Sequence, residues 1–499
     1  MSTLTLTTAV QSSSVVNPQI TPADVRSRKI AQAVTLAVLL AAPAIICAHA
    51  ACVSDPDIFW HLRTGEWMQQ HHAIPRVDAF SGPNAGKPWQ PYSWAFELLV
   101  FHLFQRFGLV GIVAYSASLV FAITVAIQRL IQRLQPDFAI AAVLTFVTFF
   151  AIEHLFTPRP WMFTILFFVL ELGILIDVRQ TGRTRRLAWL PLIFAAWANV
   201  HIQFIDGLVV LGIALVDCIA SRWVLQTRTA LRTPAAIAAL AASIIATCAN
   251  PFGWHIYRVA YDLVSQPGVV DKISELQAMH FRDWSDFCVL FLALAASAAL
   301  AWNRRARVFE LLLLLFAAQV SFRSARDMWV MAIVAVVILA ENLKGRTDEA
   351  VVIPRFAVAL SAAGAALLIW ASFHVFRITD KPLQKQIAHT LPAKAVEVIQ
   401  AHHYAGPLYN DFTWGGYLIW SLRMPVSLDG RAAFYGDPAI DRSINTWGGA
   451  PDWASDPLLQ RAGIVIGPDK APLVQLLRTD PHFQLAYEDK VAAVFVARR

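Results

Sequence analysis

The chain carries a series of nearly uncharged segments, each close to 20 residues long, between residues 30 and 376. About 20 apolar residues is the length that an α-helix needs to cross the roughly 30 Å hydrocarbon core of a bilayer. With 57% hydrophobic and only 15% charged residues, a soluble protein of 499 residues would carry more apolar surface than it could bury. The segments therefore predict a mainly α fold, a polytopic bundle of membrane helices.

About eleven spans can be placed on this pattern. A separate helix is predicted at 94–107, directly before Gly108, where the second span begins. The predicted spans lie near residues 30–53, 108–127, 138–155, 161–178, 187–200, 205–224, 234–249, 287–302, 308–320, 328–341 and 356–376.

Basic residues are concentrated in alternate loops. The loop between the fourth and fifth spans, for example, contains Arg183, Arg185 and Arg186. Because loops rich in Lys and Arg stay in the cytoplasm, the N-terminus is predicted to be cytoplasmic and, with an odd number of spans, the C-terminus periplasmic. We predict a multi-pass protein of the bacterial inner (plasma) membrane. The net charge of +7 belongs mostly to these loops, so no nucleic-acid binding is predicted.

Composition divides the chain into three parts. Residues 1–29 form a Ser/Thr-rich tail, predicted to be disordered and cytoplasmic, and residues 30–376 form the transmembrane domain with its first outer loop at 54–93. Residues 377–499 alternate short strand-like and helical runs, which predicts a small periplasmic α/β domain. The predicted strands are 416–419, 426–428, 464–466 and 492–496, and the predicted helices are 393–403 and 472–477.

The segment Ser54–Ser81, SDPDIFWHLRTGEWMQQHHAIPRVDAFS, follows the first span and is dense in ionisable residues. Asp57, His61 and Arg63 share one side of a predicted amphipathic helix, whose aromatic side would lie in the lipid headgroups. A solvated linker with Asp55 as a helix cap is the simpler interpretation. Ionisable groups beside a membrane helix more often mark a reaction site, and we predict one here.

Polar residues gather in one layer at the outer ends of the spans, whereas a transporter would place them near the midplane. Three guanidinium groups in that layer suit a phosphate or pyrophosphate headgroup, although each alone could be an interface residue that reaches towards water. Carboxylates beside them could act as a general base. The candidate site residues are Asp55, Asp57, His61, Arg63, Arg159, His201, Arg323 and Arg326.

Several sequence motifs resemble those of one group of membrane enzymes. The first-loop acids after span one, the many spans and the C-terminal outer domain resemble the GT-C superfamily of integral-membrane glycosyltransferases. That superfamily includes the protein O-mannosyltransferases of glycosyltransferase family 39, RgtA/B/C/D-like lipopolysaccharide enzymes and aminoarabinose transferases, and the motifs are most similar to those of a bacterial subset. The motifs are DPDIFWHLRTGEWM, GKPWQPYSWAFELL, RPWMFT, WANVHIQFIDGL, NPFGWHIY and YNDFTWGGYLIW with SLDGRAAFYG.

The resemblance implies a role for each matched position. It implies that Asp57, with Asp55 second, is the catalytic base or a metal ligand. It also implies a polyprenyl-phosphate sugar as donor, held by Arg159, Arg323 and Arg326. In this chain Pro56 separates the two acids of the pair. Tyr92 and Ser93 stand where the resemblance implies a His-Glu pair, so the role of that Glu is absent or passes to Glu97. A divalent metal ion is a possible cofactor, although Asp57 and His61 alone offer few ligands.

These inferences predict a polyprenyl-phosphate-sugar-dependent glycosyltransferase of the cell envelope. Its acceptor would be a lipid, a glycan or a protein, and its general base Asp57. Two alternatives stay open: a non-catalytic GT-C-like scaffold that binds a lipid-linked glycan in envelope assembly, and a transporter or flippase. No GxSxG, SxxK, HExxH, Walker or GxGxxG site stands in a convincing context, so hydrolases, zinc proteases and nucleotide-driven pumps lack support.

Overall fold

A computed structural model shows a helical bundle with a small sheet near the C-terminus, which confirms the predicted fold class. Most of the predicted N-terminal tail and two of the basic loops, around residues 304–307 and 344–350, lie outside the described residues. The described residues are 22–49, 52–226, 229–265, 272–303, 308–343 and 355–498.

Every predicted span corresponds to a helix. The helices of this part are α1 (Pro22–His49), α2 (Asp57–His71), α3 (Trp94–Leu134), α4 (Phe138–Ile152), α5 (Trp161–Thr181), α6 (Trp189–Val200), α7 (Phe204–Trp223), α8 (Thr233–Thr247), α9 (Ile256–Val264), α10 (Trp284–Asn303), α11 (Val308–Arg323), α12 (Met328–Asn342) and α13 (Arg355–Val375). Among the described residues seven helices are long and apolar enough to cross a membrane, namely α1, α3, α4 with the 3-10 turn that continues it to Leu155, α5, α7, α10 and α13. The helices at the other four predicted spans are shorter, so the number eleven stays a prediction.

The short helix α12 forms the centre of the bundle. Its residues from Met328 to Ala340 are all buried, and the helix packs against α4, α10 and α11. A helix that is apolar on every side needs protein or lipid around its whole circumference, and here neighbouring helices supply it. These contacts explain why this short helix is apolar from Met328 to Ala340.

Helix α3 is broken at Gly108, as the sequence predicts. Gly108 has φ +63°, a conformation that glycine adopts without strain, and the helix resumes directly after it. An Oδ1 atom of Asp380 accepts a hydrogen bond from the backbone N–H of Val110 at 3.3 Å, and a side chain at position 108 would overlap this carboxylate. A residue beyond the last predicted span therefore fixes the break in α3.

The C-terminal part contains a four-stranded sheet in the order β1-β2-β4-β3, with β1 parallel to β2 and the other pairs antiparallel. The predicted strands at 464–466 and 492–496 are confirmed, whereas β1 and β3 were not predicted. The elements are β1 (Leu408–Asn410), β2 (Ile464–Pro468), β3 (Phe483–Glu488), β4 (Ala492–Ala497), α14 (Asp380–Thr390), α15 (Ala393–Ala401), α16 (Gly415–Leu422), α17 (Ala432–Tyr435), α18 (Asp437–Trp447), α19 (Pro457–Gln460) and α20 (Pro472–Leu477).

Two of the predicted strands are wrong. Residues 416–419 belong to helix α16, and 426–428 contribute only a bridge from Val426 to Ser81. Gly416 allows this helix to approach the start of α2 closely, since a Cβ atom on Gly416 would lie 2.6 Å from the Pro56 carbonyl oxygen. Apolar residues that read as a strand thus form a helix that packs on the first outer loop.

The C-terminal domain and the first outer loop lie at the same end of the bundle. The backbone of Val426 donates to the Phe80 carbonyl at 3.1 Å and accepts from Gly82 at 2.9 Å. The rings of Phe59 and Tyr417 meet edge to face with centroids 5.0 Å apart. Whichever side of the membrane holds one of these two regions therefore holds the other.

Which side that is can be measured with reporters. We expect a reporter fused after residue 499 to be active only outside the cytoplasm, and a reporter inserted in 180–185 to be active only inside, because basic loops stay in the cytoplasm. Paired fusions of alkaline phosphatase and green fluorescent protein at both positions make the measurement. Cytoplasmic activity of the C-terminal fusion would show that the orientation is reversed or that the span number is even.

Candidate active site

The first outer loop places two carboxylates side by side at the start of α2. An Oδ1 atom of Asp55 accepts a hydrogen bond from the backbone N–H of Asp57 at 3.0 Å, which holds the turn into the helix. Asp57 is the first residue of α2, and only 9% of its surface is exposed. The predicted cap and the predicted base are therefore neighbours in space as well as in sequence.

A guanidinium group joins the two carboxylates. Arg159 donates from Nε to Asp55 Oδ2 at 2.5 Å and from Nη2 to Asp55 Oδ1 at 2.8 Å, and its Nη1 bonds Asp57 Oδ2. The proline on each side of Arg159 restricts its backbone, and its guanidinium carbon lies 5.1 Å from the ring centre of Trp161. The structure thus brings together the three predicted residues Asp55, Asp57 and Arg159.

Burial sets the proton affinity of Asp57. Loss of solvent raises the pKa of its carboxyl to about 7, against the opposing attraction of Arg159; the charges of Asp55, Glu275 and Asp429 act in the same direction as burial. A general base works best when its pKa lies near the working pH, since it is then both deprotonated and able to accept a proton. Asp57 meets that condition near neutral pH.

Arg326 approaches the same aromatic ring. Its guanidinium carbon lies 5.7 Å from the ring centre of Trp161, and Nη1 lies 3.8 Å from Glu275 Oε1. Its Nε is buried and makes no hydrogen bond to any described residue. A buried N–H without a partner costs roughly 1–3 kcal/mol, so this donor is suited to an acceptor that the chain itself does not supply.

The two predicted histidines are buried and uncharged. His61 Nδ1 lies 3.3 Å from Glu97 Oε1, and His201 Nδ1 lies 2.8 Å from Thr164 Oγ1. Burial lowers the pKa of His61 well below its usual value and that of His201 to about 3; Arg159 adds to the first shift and Arg326 to the second. Both imidazoles therefore stay neutral, and Glu97 is the partner of His61.

Two of the predicted cations do not join this cluster by any described contact. Arg63 Nη1 bonds Glu66 Oε2 at 2.5 Å, and Arg423 of the C-terminal domain bonds the same carboxylate oxygen. Arg63 thus belongs to a network that ties α2 to the C-terminal domain. Arg323, at the end of α11, is exposed. A substrate role for either residue stays a prediction.

A residue of the C-terminal domain touches Asp57 directly. A Cβ atom built on Gly430 would overlap the Asp57 carboxylate, so glycine is the only residue that fits between them without movement. Asp429 precedes it, and both carboxylate oxygens of Asp429 bond Arg431, at 2.8 and 2.6 Å. The turn Asp429–Arg431 therefore forms one wall of the site.

This turn is anchored to the first outer loop. Arg431 Nη1 bonds Asp78 Oδ1 at 2.6 Å, and its guanidinium carbon lies 4.6 Å from the ring centre of Trp89. Arg431 is buried between the carboxylates of Asp78 and Asp429, and these two ion pairs hold the turn in place. The motif SLDGRAAFYG supports the sequence resemblance, but its Asp-Gly pair predicts only a turn, because nothing in the sequence links position 430 with Asp57.

The residues at this site do not fit a metal ion. Both carboxylates already bond the Arg159 guanidinium, and the imidazole of His61 faces Glu97. Among the described residues there is no group of three or more His, Cys, Asp or Glu side chains that could hold one. A zinc site takes at least three protein ligands, and the two carboxylates here already face the Arg159 cation, so the chemistry of this site is derived from its own side chains.

Comparison with known proteins adds a likeness in chain path. No protein-family model and no curated protein matches the sequence. The chain is similar to two crystal structures of ArnT from Cupriavidus metallidurans, one bound to undecaprenyl phosphate and one in the apo state, at 13% and 14% identity. Each match covers 92% of this chain and 97% of that chain with a TM-score of 0.44. A likeness at this identity and TM-score assigns no role to individual residues.

Proposed function

We propose that the protein transfers a sugar from a polyprenyl-phosphate-linked donor to a hydroxyl or amine of an acceptor at the outer leaflet. The observation that carries this proposal is the buried cluster of Asp55, Asp57 and Arg159 at the end of a membrane bundle, walled by Gly430. A buried carboxylate can act as the base for the acceptor, and the cations beside it can stabilise the departing phosphate, so the cluster suits glycosyl transfer from a phosphate.

In the proposed reaction Asp57 removes a proton from the acceptor group as that group attacks the anomeric carbon. The new bond from the acceptor to this carbon forms while the bond from the carbon to the phosphate oxygen breaks, and the bonding pair leaves with the polyprenyl phosphate. Negative charge therefore grows on the departing phosphate. Arg326, with its unpaired Nε, and Arg159 are the cations available to stabilise it.

One observation favours the scaffold alternative. The Arg159 guanidinium bonds both carboxylates, so in this arrangement Asp57 already has a partner and must exchange it to receive a proton. A donor phosphate would supply that exchange, because it competes with the carboxylates for the same guanidinium. A scaffold does not catalyse sugar transfer, so a measurement of turnover distinguishes the enzyme from the scaffold.

Donor binding tests the role of Arg326. We expect Arg326→Lys to weaken binding of undecaprenyl phosphate about fivefold to tenfold, because an ammonium keeps the charge but loses the planar donor pair. The affinity is measured with the purified protein in detergent. Arg258→Lys is the matched control, since the Arg258 side chain is 79% exposed and solvent screens its charge. Unchanged affinity for Arg326→Lys together with a loss for Arg258→Lys would place the donor phosphate elsewhere.

A further inference from the structure

A second cleft lies between the first outer loop and the C-terminal domain. Its volume is about 180 Å³, and it is lined by Asn84 and Lys87 on one side and by residues of α18 on the other. One water needs roughly 10–15 Å³ of solvent-accessible volume, so the cleft has room for on the order of ten waters. One hexose has about as many heavy atoms and therefore has a similar size. None of these residues takes part in the proposed chemistry at Asp57.

The walls of this cleft are polar although they are buried. Asn84, Ser427 and Ser443 are each at least nine-tenths buried and line it. Asp456, also buried there, accepts hydrogen bonds on Oδ2 from Tyr409 Oη at 2.9 Å and from Thr446 Oγ1 at 3.0 Å. Buried amides and hydroxyls around a concave space are suited to the hydroxyl groups of a sugar.

Two cations lie at the rim. Lys87 and Arg442 line the cleft and are exposed to solvent, and Lys87 Nζ bonds Asn84 Oδ1. The side chain of Arg442 makes no hydrogen bond or ion pair within the part of the chain that the structure describes. The carboxylate of Asp456 is already satisfied by two hydroxyls and by the backbone N–H of Leu458. The rim therefore has positive charge left over for a ligand.

One chain segment forms a wall of both the cleft and the Asp57 site. Ser427 and Tyr435 line the cleft, and Tyr435 Oη donates to Asp429 Oδ2 at 2.5 Å. The residue after Asp429 is Gly430, which touches Asp57. A molecule in the cleft would thus lie on the opposite side of a single turn of backbone from the candidate base.

We propose that this cleft binds an acidic sugar unit of the acceptor. Its carboxylate or phosphate lies at Lys87 and Arg442, and its hydroxyls bond Asn84 and Ser443. The inference rests on the proposed transferase function and names the class of its acceptor. An acceptor held there would reach Asp57 around the rim of the Asp429–Arg431 turn.

Binding of simple sugars to the full-length protein in detergent tests this proposal without any donor. We expect D-glucuronate or D-glucose 6-phosphate to bind about tenfold more tightly than D-glucose; the tighter of the two acids identifies the anionic group. Arg442→Gln should weaken the acid sugar about threefold to fivefold, as expected for an exposed charge-assisted bond, and leave D-glucose unchanged. Arg461→Gln, an exposed arginine of the same domain outside the cleft, should change neither.

Three results would overturn the proposal: equal binding of the acid and neutral sugars, an unchanged affinity of Arg442→Gln, or inorganic phosphate binding as tightly as D-glucose 6-phosphate. The last result would mean a bare anion site. Asp57→Asn should bind D-glucuronate as the parent does, because Asp57 lies beyond the turn. A protein that binds acid sugars in the cleft but never transfers a sugar would therefore contradict the transferase function and leave the cleft proposal intact.

Discussion

Replacing Asp57 with asparagine should lower sugar transfer by about 100-fold or more, while the protein still inserts into membranes and binds lipid. Asparagine has almost the same shape as aspartate, but its amide cannot take the proton that the acceptor must lose. The measurement is turnover with a polyprenyl-phosphate sugar and envelope lipids, beside lipid affinity on the same preparation. Comparison of turnover with lipid affinity shows whether the variant has lost catalysis or lipid binding.

Asp55→Asn is the matched control for this change. Asp55 carries an equal charge, but it accepts the N–H of Asp57 and both nitrogens of one edge of Arg159, so its main contribution is to position the cluster. We expect its loss to lower turnover less than the Asp57 change does. Full turnover in Asp57→Asn would remove the base role of Asp57, whereas the absence of turnover in the parent protein would favour the scaffold.

The same carboxylate fixes the direction of the pH dependence. Because burial raises the pKa of Asp57 to about 7, the fraction present as carboxylate falls about tenfold for each pH unit below that value. Transfer by the parent protein should therefore rise with pH up to about 7 and then level off. The residual activity of Asp57→Asn should lack that limb of the profile.

Gly430→Ala is expected to reduce turnover by about 100-fold with little change in the amount of folded protein. The φ of Gly430 is not in the left-handed region, so alanine meets no backbone strain, and only space decides. The added methyl group would overlap the Asp57 carboxylate. Since Arg431 and its ion pairs hold the turn, we expect Asp57 to move away from Arg159. A base displaced by about 1 Å can lose 10²-fold in rate.

Gly212→Ala serves as the comparison for Gly430→Ala. Gly212 lies in α7, and a Cβ atom there would have no neighbour within 4 Å, so the same chemical change is made in open space. Gel filtration and thermal unfolding of both variants show whether the fold is kept. Parental turnover in Gly430→Ala would mean that the turn does not constrain Asp57.

Much of the helical bundle follows from the sequence alone. Apolar length predicts a helix at every span, and Gly108 predicts the break in α3, because both are local properties of the chain. The error at 416–419 has a long-range cause: Gly416 allows a close contact with Pro56 and does not belong to a strand. Strands as short as β1, with three residues, have too little pattern to be recognised.

The candidate site, too, can be predicted from the sequence only in part. Placing Asp57 and Arg159 in one layer requires only the order of spans and loops. The hydrogen bond between Arg159 and Asp57 depends on side-chain directions, which loop positions do not encode. The same is true of Arg63, which bonds Glu66 and does not join the cluster. The contact of Gly430 with Asp57 is beyond any local pattern, since it depends on how two distant regions dock.

The contact between Gly430 and Asp57 joins residues that are synthesised at very different times. The ribosome synthesises Asp57 directly after the first predicted span and Gly430 only after the last predicted span, so a nascent chain whose helices are already in the membrane still has an open, one-sided site. The wall arrives when the C-terminal domain folds onto the first outer loop and Arg431 meets Asp78. A chain that stalls or is clipped before that point keeps its carboxylates but lacks the wall that confines them. Competence at the site is thereby coupled to the synthesis and folding of the C-terminal domain.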